Sequence, residues 1–469
     1  VLGMGGSSLA PEVYAKTFGH AFGRSAVSVL DSTHPDAVRE LAGRLDTATS
    51  LFVVSSKSGT TTEMLSFYRY FWQLSGERGR QFVAVTDPGT PLQQLARERG
   101  FREVFNAPEE VGGRYSALTP FGLVPAALLG VDVGRLLSQA RAMAQACRPG
   151  VEAASHPGLR LGAAMGELAL AGRDKLTLVT SHSLESFPDW LEQLVAESTG
   201  KLVLTGEERR GIVPVAGEPL GPPEAYGDDR FFAALLLVGD DVAAIENRLE
   251  ALERAGHPVA RFRLADRYGL GAEMFRWEMA TAAAGAVLGL NPFDQPDVQL
   301  AKELANAAMK KGAGKRKKAG DAVPAADGQA VGSALAGWLE GARPGDYLGI
   351  HAYLPPRPPT TEALRALQAG LHAKTRLAVT LGYGPRFLHS TGQLHKGGPD
   401  RCRFLQLVDE PAADLAVPET AYTFGQLIRA QADGDRQALE QRGRTVVRVQ
   451  LGREDAEGLR RVLQAIGMG

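Results

Sequence analysis

The strongest constraint on the fold is a repeated unit: a short apolar, β-branched run, then small or polar residues, then a stretch with helical periodicity. LFVVSS from residue 51, FVAVTD from 82, LTLVTS from 176, LVLTG from 202, FFAALLLVGDD from 231 and VARFRL from 259 all follow this pattern. Runs of this length between amphipathic segments read as buried parallel strands in βα units, because strands covered by helices on both faces present no polar side. The expected class is therefore α/β. The runs fall before and after an apolar helical region at 117–147, which predicts two doubly wound parallel-sheet domains, 1–150 and 151–309, with a seam near Arg148 to Pro157.

Residues 310–330, KKGAGKRKKAGDAVPAADGQA, have almost no large apolar side chain and a dense positive cluster, so a basic flexible linker is expected. Beyond it, DYLGIHAYL, RLAVTLGYG, RCRFLQL and TVVRVQL alternate with helical stretches at 359–373 and 421–442, predicting a smaller C-terminal α/β unit over 331–469. The linker's charge is the one hint of nucleic-acid contact. With 52 basic against 53 acidic side chains and no aromatics interleaved in the cluster, a dedicated nucleic-acid role is not expected. Cys147 and Cys402 make neither a disulfide framework nor a metal-ligand spacing, which fits a reducing, cytoplasmic setting. No apolar stretch reaches the ~18 residues of a membrane span. Val1 and Leu2 run straight into a glycine loop, as if a buried strand began upstream, so the chain is expected to be part of something longer.

Two strand-to-helix loops carry the chemistry. GMGGSSLAP at 3–11 brings glycines to a helix start, where unpaired N–H groups favour an anion; packing alone would also account for it. VVSSKSGTTTEM at 53–64 adds a crowd of hydroxyls at a second helix start, suited to a phosphate dianion. It lacks the GxxxxGK[ST] spacing of a nucleotide loop, which points to phosphate on a small molecule, the alternative being an exposed capping loop.

MGGSSLAP, SSKSGTTTE, VGGRYSALTPFGL at 111–123, LVAESTGK at 194–201 and FDQPDVQLAKELA at 293–305 occur in this order. Together they resemble the signature segments of the phosphoglucose isomerases, members of the sugar-isomerase (SIS) fold superfamily. GPRFLHSTGQLHKGGP at 384–399 is most similar to the isomerase half of bifunctional transaldolase/phosphoglucose isomerase proteins. The resemblance is specific over 1–305 and rests on that one segment beyond it. It implies two SIS-type domains, reversible conversion of glucose 6-phosphate to fructose 6-phosphate in glycolysis and gluconeogenesis, no metal or organic cofactor, a homo-oligomer, and an upstream transaldolase.

Aldose–ketose interconversion needs a carboxylate to shuttle a carbon-bound proton, a fixed cation over the developing oxyanion, and an acid/base group at the ring oxygen and O1. The resemblance assigns the shuttle to Glu197, the cation to Arg114, and ring opening to Lys302, with Gln295 as a substrate-binding residue. It places Ser56, Ser58 and Thr61 on the phosphate, with Lys57 a weaker candidate, and Gly6 and Ser7 near the sugar. Read without it, Glu197 and Lys302 would be solvated helix residues and Arg114 a structural ion pair.

One feature departs from the pattern. Where the family usually places a ring-opening histidine, GEPLGPPEAYGDDRFF at 217–232 offers Asp228 and Asp229. Paired acids can split their pKa values and leave one able to donate a proton, which slightly favours Asp229, although DD before an apolar strand is also a common solvated turn. His389, His395 or a neighbouring subunit's histidine are the alternatives, and His257 reads as structural. The competing functions are an isomerase of another hexose phosphate, such as mannose 6-phosphate, and a non-catalytic sugar-phosphate-binding regulator.

Overall fold

The computed structural model describes residues 1–19, 23–300, 303–305, 309 and 322–467. The protein is mixed α/β, built on three all-parallel sheets. In the first, Phe52–Ser55 pairs with Phe82–Thr86, which pairs with Glu103–Asn106. Leu2 extends this sheet by parallel bridges to Val54 and Leu30, so the strand end expected at the start of the chain is in place. Phe52–Ser55 and Phe82–Thr86 are buried throughout, as their unbroken apolar runs require.

In the second sheet the order is Val213–Val215, Lys175–Thr180, Arg230–Leu237, Val259–Leu264. Helix Gly269–Leu288 packs against Pro157–Leu170 and Val133–Ala146. Leu9, Val13 and Tyr14 from helix Leu9–Phe18 share one apolar core with Trp190, Leu191, Met274 and Trp277. The expected units before and after residue 150 therefore meet through a continuous core.

The run from 202 is not the buried parallel strand it resembles. Lys201–Leu202 pairs antiparallel with Arg209–Arg210, and Leu204 is 70% exposed. The polar TGEERR segment turns the chain back at once, and no helix follows to cover a second face.

The third sheet has the order Val323–Pro324, Thr445–Gln450, Cys402–Val408, Tyr347–Tyr353, Ala378–Tyr383. Its first strand and the start of helix Gly328–Glu340 fall within the segment expected to be linker. The basic cluster itself, 310–321, lies outside the described residues. Helix Phe424–Gln441 opens on a capping box between Thr423 and Gln426. From this unit, a single turn Arg386–His389 and the short helix Gly392–Gly397 reach across to the other two.

Candidate active site

The glycine loop, the turn Gly113–Tyr115 and the short helix Gly392–Gly397 pack against helix Phe187–Thr199. The glycine loop at 3–8 is pressed on two sides. Gly5 has φ +55°, and a side chain there would come within 2.7 Å of the His389 carbonyl. At Gly6 a side chain would overlap the Gly113 carbonyl, so the glycines allow the first loop to touch both the arginine loop and the C-terminal unit. Ser7 is buried in the same turn. In the second loop Ser56 Oγ and Thr61 Oγ1 are 3.0 Å apart, Gly59 N–H donates to Ser56 Oγ at 3.1 Å, and Thr60 donates to Ser58 Oγ. These hydroxyls gather at the start of helix Thr62–Leu74, where backbone N–H groups point outward.

Arg114 is 3% exposed, and its fork is fully engaged. Nε donates to Ser198 Oγ at 2.8 Å, Nη1 to Gln295 Oε1 at 2.9 Å, and Nη2 to the carbonyls of Pro292 and Asp294 at 2.6 and 2.9 Å. Glu197 Oε1 lies 3.5 Å from Nη1. Sequence reasoning thus foresaw three residues, Arg114, Glu197 and Gln295, that the fold brings into contact from separate segments. It missed those that fix them. Lys201, the last residue of the ESTGK motif, is buried and donates to Asn291 O, Asp294 O and Asp294 Oδ1 at 2.6–2.9 Å, pinning the 291–295 segment. Burial lowers its pKa, partly offset by Asp294. Tyr115 Oη lies 3.1 Å from Ser198 Oγ. Gln193 donates to Glu197 Oε2 at 3.0 Å, and its position four residues earlier on the same helix was a signal available in the sequence.

Gln193 Nε2 also donates to the His389 carbonyl at 2.7 Å, so the C-terminal unit reaches the helix that carries Glu197. The His389 ring lies 2.9 Å from Glu63 Oε1, and Gln431 Nε2 donates to the same oxygen at 2.7 Å. Glu63, in the TTTE end of the second motif, therefore orients the His389 ring beside the hydroxyl loop.

Asp229 is not in this cluster. Its carboxylate lies 3.7 Å from Lys175 Nζ and 3.8 Å from Arg230 Nε, at the start of strand Arg230–Leu237. Both cations are fully buried; Asp174 at 2.6 Å from Lys175 and Glu218 at 2.7 Å from Arg230 are their nearer counter-ions, and Asp229 adds a third carboxylate to that network. Lys57 is turned from the loop hydroxyls, donating to Asp87 Oδ2 at 2.5 Å and Glu109 O at 2.8 Å. His395 is buried among His351, Phe387 and Phe404 in the third unit. Lys302 lies outside the described residues; Gln295 precedes it in an irregular segment rather than a helix.

Residues 1–223 match the family model described as phosphoglucose isomerase. The glucose-6-phosphate isomerase of Rubrobacter xylanophilus is 30% identical over 356 residues, covering 66% of this chain and 81% of the relative. That of Thermus thermophilus is 32% identical over 352 residues, covering 65% and 81%. Several longer relatives of the same name are spanned over 62–65% of their length. A solved structure described as a hypothetical protein from Thermus thermophilus superimposes with a TM-score of 0.58 at 28% identity, covering 66% of this chain and 82% of the other.

Proposed function

The chain belongs to the phosphoglucose isomerase family, and we propose from that premise that it interconverts glucose 6-phosphate and fructose 6-phosphate at the Glu197–Arg114 cluster. The observation that carries this reading is the 3.5 Å approach of the Glu197 carboxylate to a buried, fully hydrogen-bonded Arg114.

The sugar's phosphate occupies the loop of Ser56, Ser58 and Thr61 at the start of helix Thr62–Leu74, with Gly6 and Ser7 against the sugar. His389, oriented by Glu63, donates a proton to the ring oxygen and accepts the O1 proton, opening the ring to the aldehyde. Glu197 removes the C2 proton from the open aldose. The electron pair moves into the C1–C2 bond, the C1 carbonyl becomes an enediolate oxygen, and Arg114 stabilises its charge without becoming deprotonated. The proton on Glu197 is then returned to C1 while the O2 proton passes to O1, leaving the C2 carbonyl and the C1 hydroxyl of the ketose. His389 takes the ring-opening role here because it stands at the cluster, whereas Asp229 is committed to Lys175 and Arg230.

Further parts of this reading rest on single observations. A reducing, cytoplasmic setting is supported by the buried, unpaired thiols of Cys147 and Cys402; among the described residues no helix is long and apolar enough to cross a membrane. An upstream transaldolase and a homo-oligomer are supported by the motif resemblance alone.

The test is fructose 6-phosphate formation from glucose 6-phosphate without added metal, by the parent and by Glu197→Gln. Turnover in the parent and its loss in the variant is expected. An inactive parent that still binds the sugar phosphate would replace this reading with a binding role.

A further inference from the structure

Gln393 lies on the short helix Gly392–Gly397 and is fully buried. Its amide is committed at every point. Oε1 accepts from the Asp297 backbone N–H at 2.8 Å, while Nε2 donates to the Gly200 carbonyl at 2.9 Å and to Asp297 Oδ2 at 3.0 Å. Gly200 is the C-cap of the helix that carries Glu197, and its N–H closes on Ala196 O. Asp297 stands two residues beyond Gln295, the acceptor for Arg114 Nη1. One side chain of the C-terminal unit therefore ties together the two segments that carry the base and the arginine's partner.

The tie is anchored from behind. Lys396, on the same short helix, donates to the buried Asp435 at 2.7 Å. Arg444 donates to the carbonyls of His395 and Gly398 at 3.1 and 2.6 Å, holding the helix against strand Cys402–Val408 and its neighbours. Asp297 receives a second donor from the unit, Arg442 Nη2 at 2.5 Å. A chain of hydrogen bonds so runs from the third core to Gly200 and Asp297 with no solvent-exposed step at Gln393.

We propose that Gln393 is a positioning residue for the isomerisation: by bridging Gly200 and Asp297 it sets the separation of Glu197 from Arg114, so the C-terminal unit is a working part of the active site. This rests on the site reading given above. An error of about 1 Å between a base and its partner group costs on the order of 100-fold in rate, whereas phosphate binding at the hydroxyl loop is untouched by it.

The experiment uses the full chain. Gln393→Met keeps the side chain's length and removes its three hydrogen bonds. Its kcat should fall ~10- to 100-fold while KM changes less than about 3-fold and thermal unfolding stays cooperative. Gln393→Glu sets a second carboxylate against Asp297. It also sets a carboxylate against the Gly200 carbonyl, which then lacks a donor, so kcat should fall at least as far as in Gln393→Met. A folded Gln393→Met with parental kcat overturns the proposal. So does a folded Gln393→Glu with parental kcat, which is also the deciding result should Gln393→Met not fold. Glu197→Gln is assayed alongside: parental turnover in that variant would strike down the site reading itself, while a dead Glu197→Gln beside a fully active Gln393→Met removes only the positioning role.

Discussion

Arg114 faces Glu197 at 3.5 Å yet spends its hydrogen bonds on Ser198, Gln295, Pro292 and Asp294. The cation is thus oriented by neutral acceptors rather than locked into a bidentate pair with the carboxylate.

Glu197→Gln removes the base and keeps the shape. Loss of kcat by ~10²- to 10⁴-fold is expected, with KM changed only a few-fold. Exchange of the substrate C2 proton in deuterated water, followed by NMR, should vanish with it. Retained exchange would give the base to another group.

Arg114→Lys keeps the charge and discards the planar fork. A lysine cannot make the four bonds to Ser198, Gln295, Pro292 and Asp294 in one plane, so kcat should drop on the order of 100-fold. Steady-state kinetics that showed a mainly raised KM would instead place Arg114 on the phosphate.

His389→Gln should slow turnover of cyclic glucose 6-phosphate more than consumption of the open-chain form, read by stopped-flow with pre-equilibrated and freshly mixed sugar. Glu63→Gln, which weakens the orientation of the ring at 2.9 Å, should show the same bias in milder form. Asp229→Asn should show no such bias, because its partners are Lys175 and Arg230. A bias in that variant would return ring opening to Asp229.

Burial, and then the neighbouring Asp189 carboxylate, push Glu192 up from 4.5 to about 8. The folded state therefore keeps a proton that the unfolded chain gives up, and stability falls as pH climbs from about 4.5 to 8. Glu192→Gln removes that penalty. Its melting temperature should exceed the parent's by several degrees at pH 8 and by much less at pH 5. A difference independent of pH would show that the carboxyl is ionised in the folded protein.

The sequence by itself determined most of the strands and the chemical inventory, but neither the antiparallel pairing at Lys201–Leu202 nor the strand Val323–Pro324 inside the expected linker. Unbroken apolar runs such as LFVVSS and FVAVTD form strands buried along their length, and the loops after strand ends bring hydroxyls and backbone N–H groups to a helix start. Arg114, Glu197 and Gln295 were legible because their motifs are local. Tertiary structure decided which residues meet. His389 and Asp229 were both open in the sequence; packing is what sets His389 beside Glu63 and Gln193, since the 386–397 segment crosses from the third sheet to reach Gly5, Gln193 and Gly200. Asp229 sits beside Arg230, its neighbour in sequence, and buried Lys175 from the adjoining strand, a contact that no local pattern records. Gln393 was hidden for the same reason: a glutamine on a six-residue helix acquires its role only when the backbone groups it satisfies come from residues 200 and 297.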